Sequence, residues 1–219
     1  MSTTTQFLRP WGIDVSGHQG QINWDRVKAD GVQFAFIKAT EGRTFVDPTF
    51  ARNWREAKRV GILRGAYHFF RTRSSLVGQQ DNFARTINSA DVGDLPPVID
   101  VEIPGQWSHL SCPQRNDLII NWIEGVRMRL GTNVHPIIYM SSYFADDVLN
   151  NDPRLAEHPL WLAHYTTAGN PRVPRPWGFH TFWQYTDRGS VDGIAGNVDL
   201  NWFNGSIDRL NALLIKEEN

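Results

Sequence analysis

Short apolar runs of four to nine residues recur along the chain, and the earlier ones are separated by segments with helical spacing. The runs fall at 12–15, 33–39, 61–69, 97–101, 136–140, 160–163, 181–185 and 197–200. Their length and their β-branched and aromatic content predict strands. Helical patterns fill 48–60, 75–88, 113–130 and 141–149, and a last one follows at 207–216. Asp47 and Gly61 supply a start and a stop for the first of these. The 113–130 helix carries Ser111 or Cys112 at its start, Pro113 in its first turn and Gly131 at its end. Strands alternating with helices predict a mainly parallel sheet, and eight strands predict a closed barrel. Beyond residue 151 the helical signal fades, while Pro153, Pro159, Pro171, Pro174 and Pro176 crowd the chain. The last three strands are therefore expected to join by loops. The expectation is a single α/β domain, an irregular TIM-like (β/α)5β3 barrel over 11–219, preceded by an N-terminal extension at 1–10.

The active site of such a barrel lies at the C-terminal ends of its strands. That rule singles out Asp14, Tyr67, His68, Asp100, Glu102, Tyr139, Gln184, Tyr185 and Asp199. Within Pro96-Pro97-Val98-Ile99-Asp100-Val101-Glu102, a buried strand ends in two carboxylates. Residues two apart share a strand face, so Asp100 and Glu102 point the same way, roughly 6–7 Å apart at Cα. Two acids so close do not both ionise freely, and the more enclosed one has its pKa raised. A protonated acid beside an ionised one is what cleavage of a glycosidic bond requires.

Composition narrows the reading further. The 219 residues are 41% hydrophobic and 21% charged, with a formal net charge of −1. Basic residues are scattered among acids, so no nucleic-acid footprint exists. Cys112 is the single cysteine, which excludes an intramolecular disulfide and fits a reducing compartment. The first ten residues lack a basic and apolar leader, and no apolar run reaches membrane-spanning length. The expectation is a monomer made in the cytoplasm without a signal peptide. Nine Trp, five Tyr and twelve Phe serve either core packing or stacking on sugar faces, and Trp161 and Trp183 could do either. His18, His68, His164 and His180 form no compact ligand motif, so neither metal nor cofactor is expected. No Gly-x-Ser-x-Gly elbow supports Ser-His-Asp chemistry. Lys38, ending the second strand, reads as an ion-pair partner for the acids.

The ordered series of motifs resembles the family 25 glycoside hydrolases, the lysozymes (N-acetylmuramidases) of bacteria, fungi and phage endolysins. The matching pieces are Gly12-Ile13-Asp14-Val15-Ser16 with His18-Gln19-Gly20, Phe36-Ile37-Lys38-Ala39-Thr40-Glu41-Gly42, and Gly65-Ala66-Tyr67-His68-Phe69. The strand ending in Glu102, Trp161-Leu162-Ala163-His164-Tyr165, and Trp183-Gln184-Tyr185-Thr186 leading to Val198-Asp199-Leu200 complete the series. The resemblance implies a barrel of five regular units followed by three less regular strands. It implies hydrolysis of the β-1,4 bond between N-acetylmuramic acid and N-acetylglucosamine in peptidoglycan. It carries the family's acid pair onto Asp100 and Glu102, and its supporting aspartates onto Asp14 and Asp199. One departure is His164, where the family often has Arg. The wall would be reached through a phage holin or a dedicated secretion system.

On this reading Glu102 is the general acid and then the general base. Asp100 either attacks the anomeric carbon or orients the substrate's own 2-acetamido group toward an oxazolinium. The i, i+2 spacing favours the second, and Asp199 is an alternative nucleophile from across the cleft. Tyr67, Tyr139, Gln184, Tyr185, Trp161 and Lys38 are the expected substrate-contacting residues. A non-catalytic binder of wall glycan and a hydrolase of another N-acetylated glycan such as chitin are the competing readings.

Overall fold

The structure, a computed structural model, describes residues 9–87, 92–131 and 134–216. Its strands are β1 (Trp11–Val15), β2 (Phe34–Glu41), β3 (Phe45–Val46), β4 (Leu63–Phe69), β5 (Val98–Asp100), β6 (Ile137–Ser141), β7 (Leu160–Ala163), β8 (Phe182–Gly189) and β9 (Val198–Phe203). All but β3, a hairpin partner of β2, hydrogen-bond in sequence order, and β9 returns to β1 to close the ring. Pairings from β1 round to β8 are parallel, whereas β9 runs antiparallel to both of its neighbours. The expected closed barrel is therefore present, with its last strand reversed.

Helices cover one side of the ring. They are α1 (Trp24–Ala29), α2 (Phe50–Arg59), α3 (Leu76–Ile87) and α4 (Cys112–Leu130), with α5 (Ile207–Ala212) following β9. The expected 75–88 helix is described over Leu76–Ile87, and residue 88 lies outside the described residues, as do 1–8 of the expected N-terminal extension. Capping explains α4: Ser111 and Gln114 form a capping box, Pro113 sits in the first turn, and Gly131 ends the helix at φ 60°. Asp47 acts two residues ahead of Thr49, which holds the N-cap position it was expected to fill. Its Oδ1 accepts from Thr49 N at 2.9 Å and its Oδ2 from Gly17 N at 2.8 Å, so it ties the α2 start to the loop after β1. The short helix expected at 141–149 is a π-helical turn, Phe144–Val148, with Leu149 N donating to Phe144 O. After it, β7, β8 and β9 are joined without an α-helix among the described residues.

Strand alternation produces two cores. Outward side chains such as Ile13, Val15, Ile37, Ile99 and Leu162 pack with Phe83, Ile119 and Trp122. Inward ones fill the barrel: Phe34, Phe36, Val98, Ile137, Trp161, Phe182 and Phe203. Glycines opposite the inward residues Phe34 and Phe36 make this interior possible. A Cβ on Gly12 would stand 2.2 Å from Phe34 O, and one on Gly65 would stand 2.7 Å from the Phe36 ring.

Candidate active site

Six inward rows of the barrel turn from apolar to polar two residues further along their strands, while that of β7 runs from Trp161 through Ala163. Gly12 is followed by Asp14, Phe36 by Lys38, Gly65 by Tyr67, Val98 by Asp100 and then Glu102, Ile137 by Tyr139, and Phe182 by Gln184. Because β9 runs the other way, its polar positions, Asp199 and Asn201, come first and Phe203 comes last. Asp199 pairs with Asp14 in register and shares a hydrogen bond with it. The reversal therefore sets Asp199 near the start of its strand, not the end, yet at the same mouth. Round the ring of eight, β9 is four strands from β5 in either direction, so Asp199 faces the Asp100 and Glu102 pair across the barrel.

Asp14 is 6% exposed, and its Oδ2 accepts from Asn201 Nδ2 at 2.7 Å and Gln184 Nε2 at 3.0 Å. Gln184 Oε1 accepts from the hydroxyls of Tyr139 and Tyr165, each at 2.8 Å. Trp161 Nε1 donates to Asn201 Oδ1 at 2.7 Å. At the end of β2, the strand next to β1, Glu41 accepts from Lys38 Nζ at 2.7 Å and from Arg71 Nε at 2.8 Å.

Burial pushes the carboxyls of Asp14 and Asp100 well above the usual carboxylate range, and the charges of Asp199 and Glu102 add to this. Glu102 and Asp199 are raised in the same way by burial. Lys38 and Arg71 pull Glu102 part of the way back. Asp100, 6% exposed, is the more enclosed member of the pair, so enclosure by itself assigns it the tighter hold on a proton. Its Oδ1 is buried and has no hydrogen-bond partner. Glu102 is the accessible member and lines a cleft of about 620 Å³ with Tyr139, Tyr143, His164, Tyr165 and Arg172. A larger cavity, about 990 Å³, lies at the far end of the barrel among Leu160, Phe203 and Leu213, away from these carboxylates.

Tyr67, Tyr139 and Gln184 lie where the sequence placed them, at the mouth, and the phenols of Tyr67 and Tyr139 are pushed up by burial and then by Asp14 and Asp100. Three expectations change. Trp161 offers no sugar platform: it is 2% exposed, stacked on Phe36 at 4.3 Å beneath Tyr139. Tyr185 lies on the barrel's outer face, stacked on Trp202 at 5.6 Å, because alternation sends it opposite to Gln184. Lys38 is committed to Glu41 and acts on the acids by charge. Trp183 is also outward, with Nε1 donating to His164 O. Strand spacing could have found Asn201, two residues after Asp199, and Tyr165, two after Ala163. The Glu41 and Arg71 pair had no such signal, since 30 residues separate them. Of the histidines, His68 is buried on the outward face between Thr40 and Gln79, and His180 contacts Arg9, so they do not converge.

Paired acids at barrel strand ends, with two further aspartates facing them, serve the cleavage of glycosidic bonds, and this chain is a glycoside hydrolase. More narrowly, it belongs to glycosyl hydrolases family 25, whose profile matches residues 13–194. It is 41% identical over 213 residues to the uncharacterized protein YegX of Escherichia coli K12, covering 94% of this chain and 74% of that one. It is 40% identical to Lysozyme M1 of Streptomyces globisporus over 211 residues, 92% of this chain and 70% of that one. The crystal structure of the bacterial lysozyme from Streptomyces coelicolor superposes with a TM-score of 0.88 at 38% identity, covering 94% and 97% of the two chains.

Proposed function

We propose that the protein is a muramidase that cleaves the β-1,4 bond between N-acetylmuramic acid and N-acetylglucosamine in peptidoglycan, with retention. Glu102 protonates the leaving oxygen and then deprotonates the attacking water. The observation that carries this assignment is the split in access between two neighbouring acids. Glu102 borders the cleft and is partly exposed, whereas Asp100 lies deeper with an unpartnered oxygen. The raised Glu102 pKa suits a donor at neutral pH. The free oxygen of Asp100 suits the N–H of a 2-acetamido group, whose carbonyl would then attack C1. Asp14 and Asp199, sharing a hydrogen bond, keep negative charge opposite the developing oxocarbenium.

Glu102→Gln should lower turnover of purified peptidoglycan by roughly 10²–10⁴-fold, the usual contribution of a general acid, while circular dichroism stays unchanged. Clearing at the wild-type rate would overturn the assignment. Proton NMR of the first-formed product should show the β anomer. An α product would replace the substrate-assisted route with inversion, in which Asp199 activates water from across the barrel. Products ending in reducing N-acetylglucosamine would replace the muramidase with a glucosaminidase.

A further inference from the structure

The hydrogen bonds around Gln184 have a forced direction. An indole N–H only donates, so the Asn201 side chain must turn its oxygen to Trp161 Nε1, at 2.7 Å. Its Nδ2 then faces Asp14 Oδ2, at 2.7 Å, and makes that oxygen an acceptor. The same Oδ2 faces the Gln184 amide at 3.0 Å, while the hydrogen bond that Asp14 shares runs to Asp199. Gln184 therefore presents Nε2 to Asp14 and Oε1 to the two phenols. An amide oxygen has two lone pairs and no proton, so Tyr139 and Tyr165 must both donate to it.

Each phenol has one proton, and each proton is spent inward. An independent feature agrees. Tyr139 pairs in register with Asp100, yet Asp100 Oδ1 has no hydrogen-bond partner, so the Tyr139 proton does not go there. Gln184 is 2% exposed and tied on both sides, which leaves it no room to flip. Both phenols line the cleft beside Glu102, and Tyr165 is 52% exposed. They face it with oxygen lone pairs alone.

We propose, on the glycan reading given above, that Tyr139 and Tyr165 form an acceptor-only wall that recognises a hydrogen-bond donor of the sugar. Gln184 is the positioning residue that sets this polarity. The donor is a ring O–H, or the amide N–H of a sugar other than the one whose N–H goes to Asp100, and the wall cannot serve as a hydrogen-bond donor to the acetamido carbonyl. A sugar whose donor at this point is capped leaves a partly enclosed oxygen unpaired and binds more weakly.

Neutron diffraction from the deuterium-exchanged protein reads the polarity without any ligand. Both phenol deuterons should lie on the lines to Gln184 Oε1. A deuteron aimed into the cleft from either tyrosine would overturn the proposal. Recognition is read by calorimetry with the Glu102→Gln protein and an N-acetylated peptidoglycan tetrasaccharide. It is compared with an analogue bearing a 2-acetoxy ester in place of the amide, and with singly deoxygenated analogues. The ester tests the N–H and the deoxy sugars test each O–H. One of them should bind about tenfold more weakly, the scale of one hydrogen bond to a buried oxygen. That gap should close in Glu102→Gln/Gln184→Leu, where the freed phenols can turn their protons outward. Glu102→Gln/Tyr165→Phe should narrow it as well, and supplies the same test if the leucine variant does not fold. Equal affinities across the set would overturn recognition by this wall. If the parent tetrasaccharide does not bind, the glycan reading falls instead, and the deuteron positions still decide the polarity.

Discussion

Asp100 is an ionisable group held at 6% exposure with one oxygen unpaired, an arrangement that costs stability. Its folded pKa lies above its unfolded one, so the cost is absent below the unfolded pKa and grows as pH rises through the folded value. Asp100→Asn should therefore raise the melting temperature at pH 7 by about 3–6 °C, equivalent to roughly 1–2 kcal/mol in a domain of this size, while activity falls. Calorimetric scans at pH 7 and pH 3.5 check this, since the gain should vanish at the lower pH. An equal gain at both would mean that ionisation is not its cause. His68 has the opposite sign. It is fully buried, its Nε2–H donates to Gln79 Oε1, its Nδ1 faces the Thr40 hydroxyl at 2.6 Å, and burial pulls its pKa down to about 4. Stability from the neutral ring is complete above about pH 6.5 and is lost as pH falls toward 4. Denaturant titrations should show the advantage of wild type over His68→Gln shrinking by about 2–3 kcal/mol across that window. A constant advantage would exclude the titration. His158 and His180, also pulled down to about 4 by burial, cancel in this comparison.

Element by element, strand positions were legible and strand directions were not. Apolar runs mark β-structure whichever way a strand points, so the reversal of β9 leaves no mark in the pattern. Its effect on the site is nonetheless large, because it moves Asp199 near the start of a strand and brings Asn201 to Asp14. Alternation read strictly along β8 would have separated Gln184 from Tyr185. The π-helical turn at Phe144–Val148 carried a helical pattern, which does not distinguish i+4 from i+5 hydrogen bonding. β1 and β2 approach closely only because position 12 has no side chain, a contact between residues 22 positions apart. Gly12→Ala would press a methyl on the Phe34 carbonyl, and backbone cannot yield as a side chain does. It should cost about 2–3 kcal/mol or more, the upper range for overpacking, where a solvent-facing strand glycine would gain from the same change. Equilibrium urea unfolding measures it, and a loss under about 0.5 kcal/mol would contradict the close approach.

At the scale of the whole molecule, one ring holds both the core and the site. β1 supplies Asp14 and joins both ends of the chain, pairing with β2 on one side and β9 on the other. The helix-poor wall of β7, β8 and β9 shares its inner core with the helix-covered wall through Trp161, Phe182 and Phe36. Unfolding should therefore be a single transition. Tryptophan fluorescence and far-ultraviolet ellipticity should change at the same urea concentration, and two separated midpoints would show that the walls unfold independently.

The amino-acid order alone carries the eight strands of the ring though not the two-residue β3, the barrel, the neighbouring acids Asp100 and Glu102, and the placing of Asp14 and Asp199 at strand ends of one mouth. These follow from local periodicity and from the rule that barrel strands converge at their ends. The folded structure alone decides that Asp100 is the more enclosed acid, that Trp161 lies beneath the cleft and Tyr185 outside it, and that Asn201 and Gln184 direct the protons of two tyrosines. Burial, strand direction and hydrogen-bond polarity are relations among residues up to 187 positions apart, and no local pattern encodes a contact that closure of the ring creates.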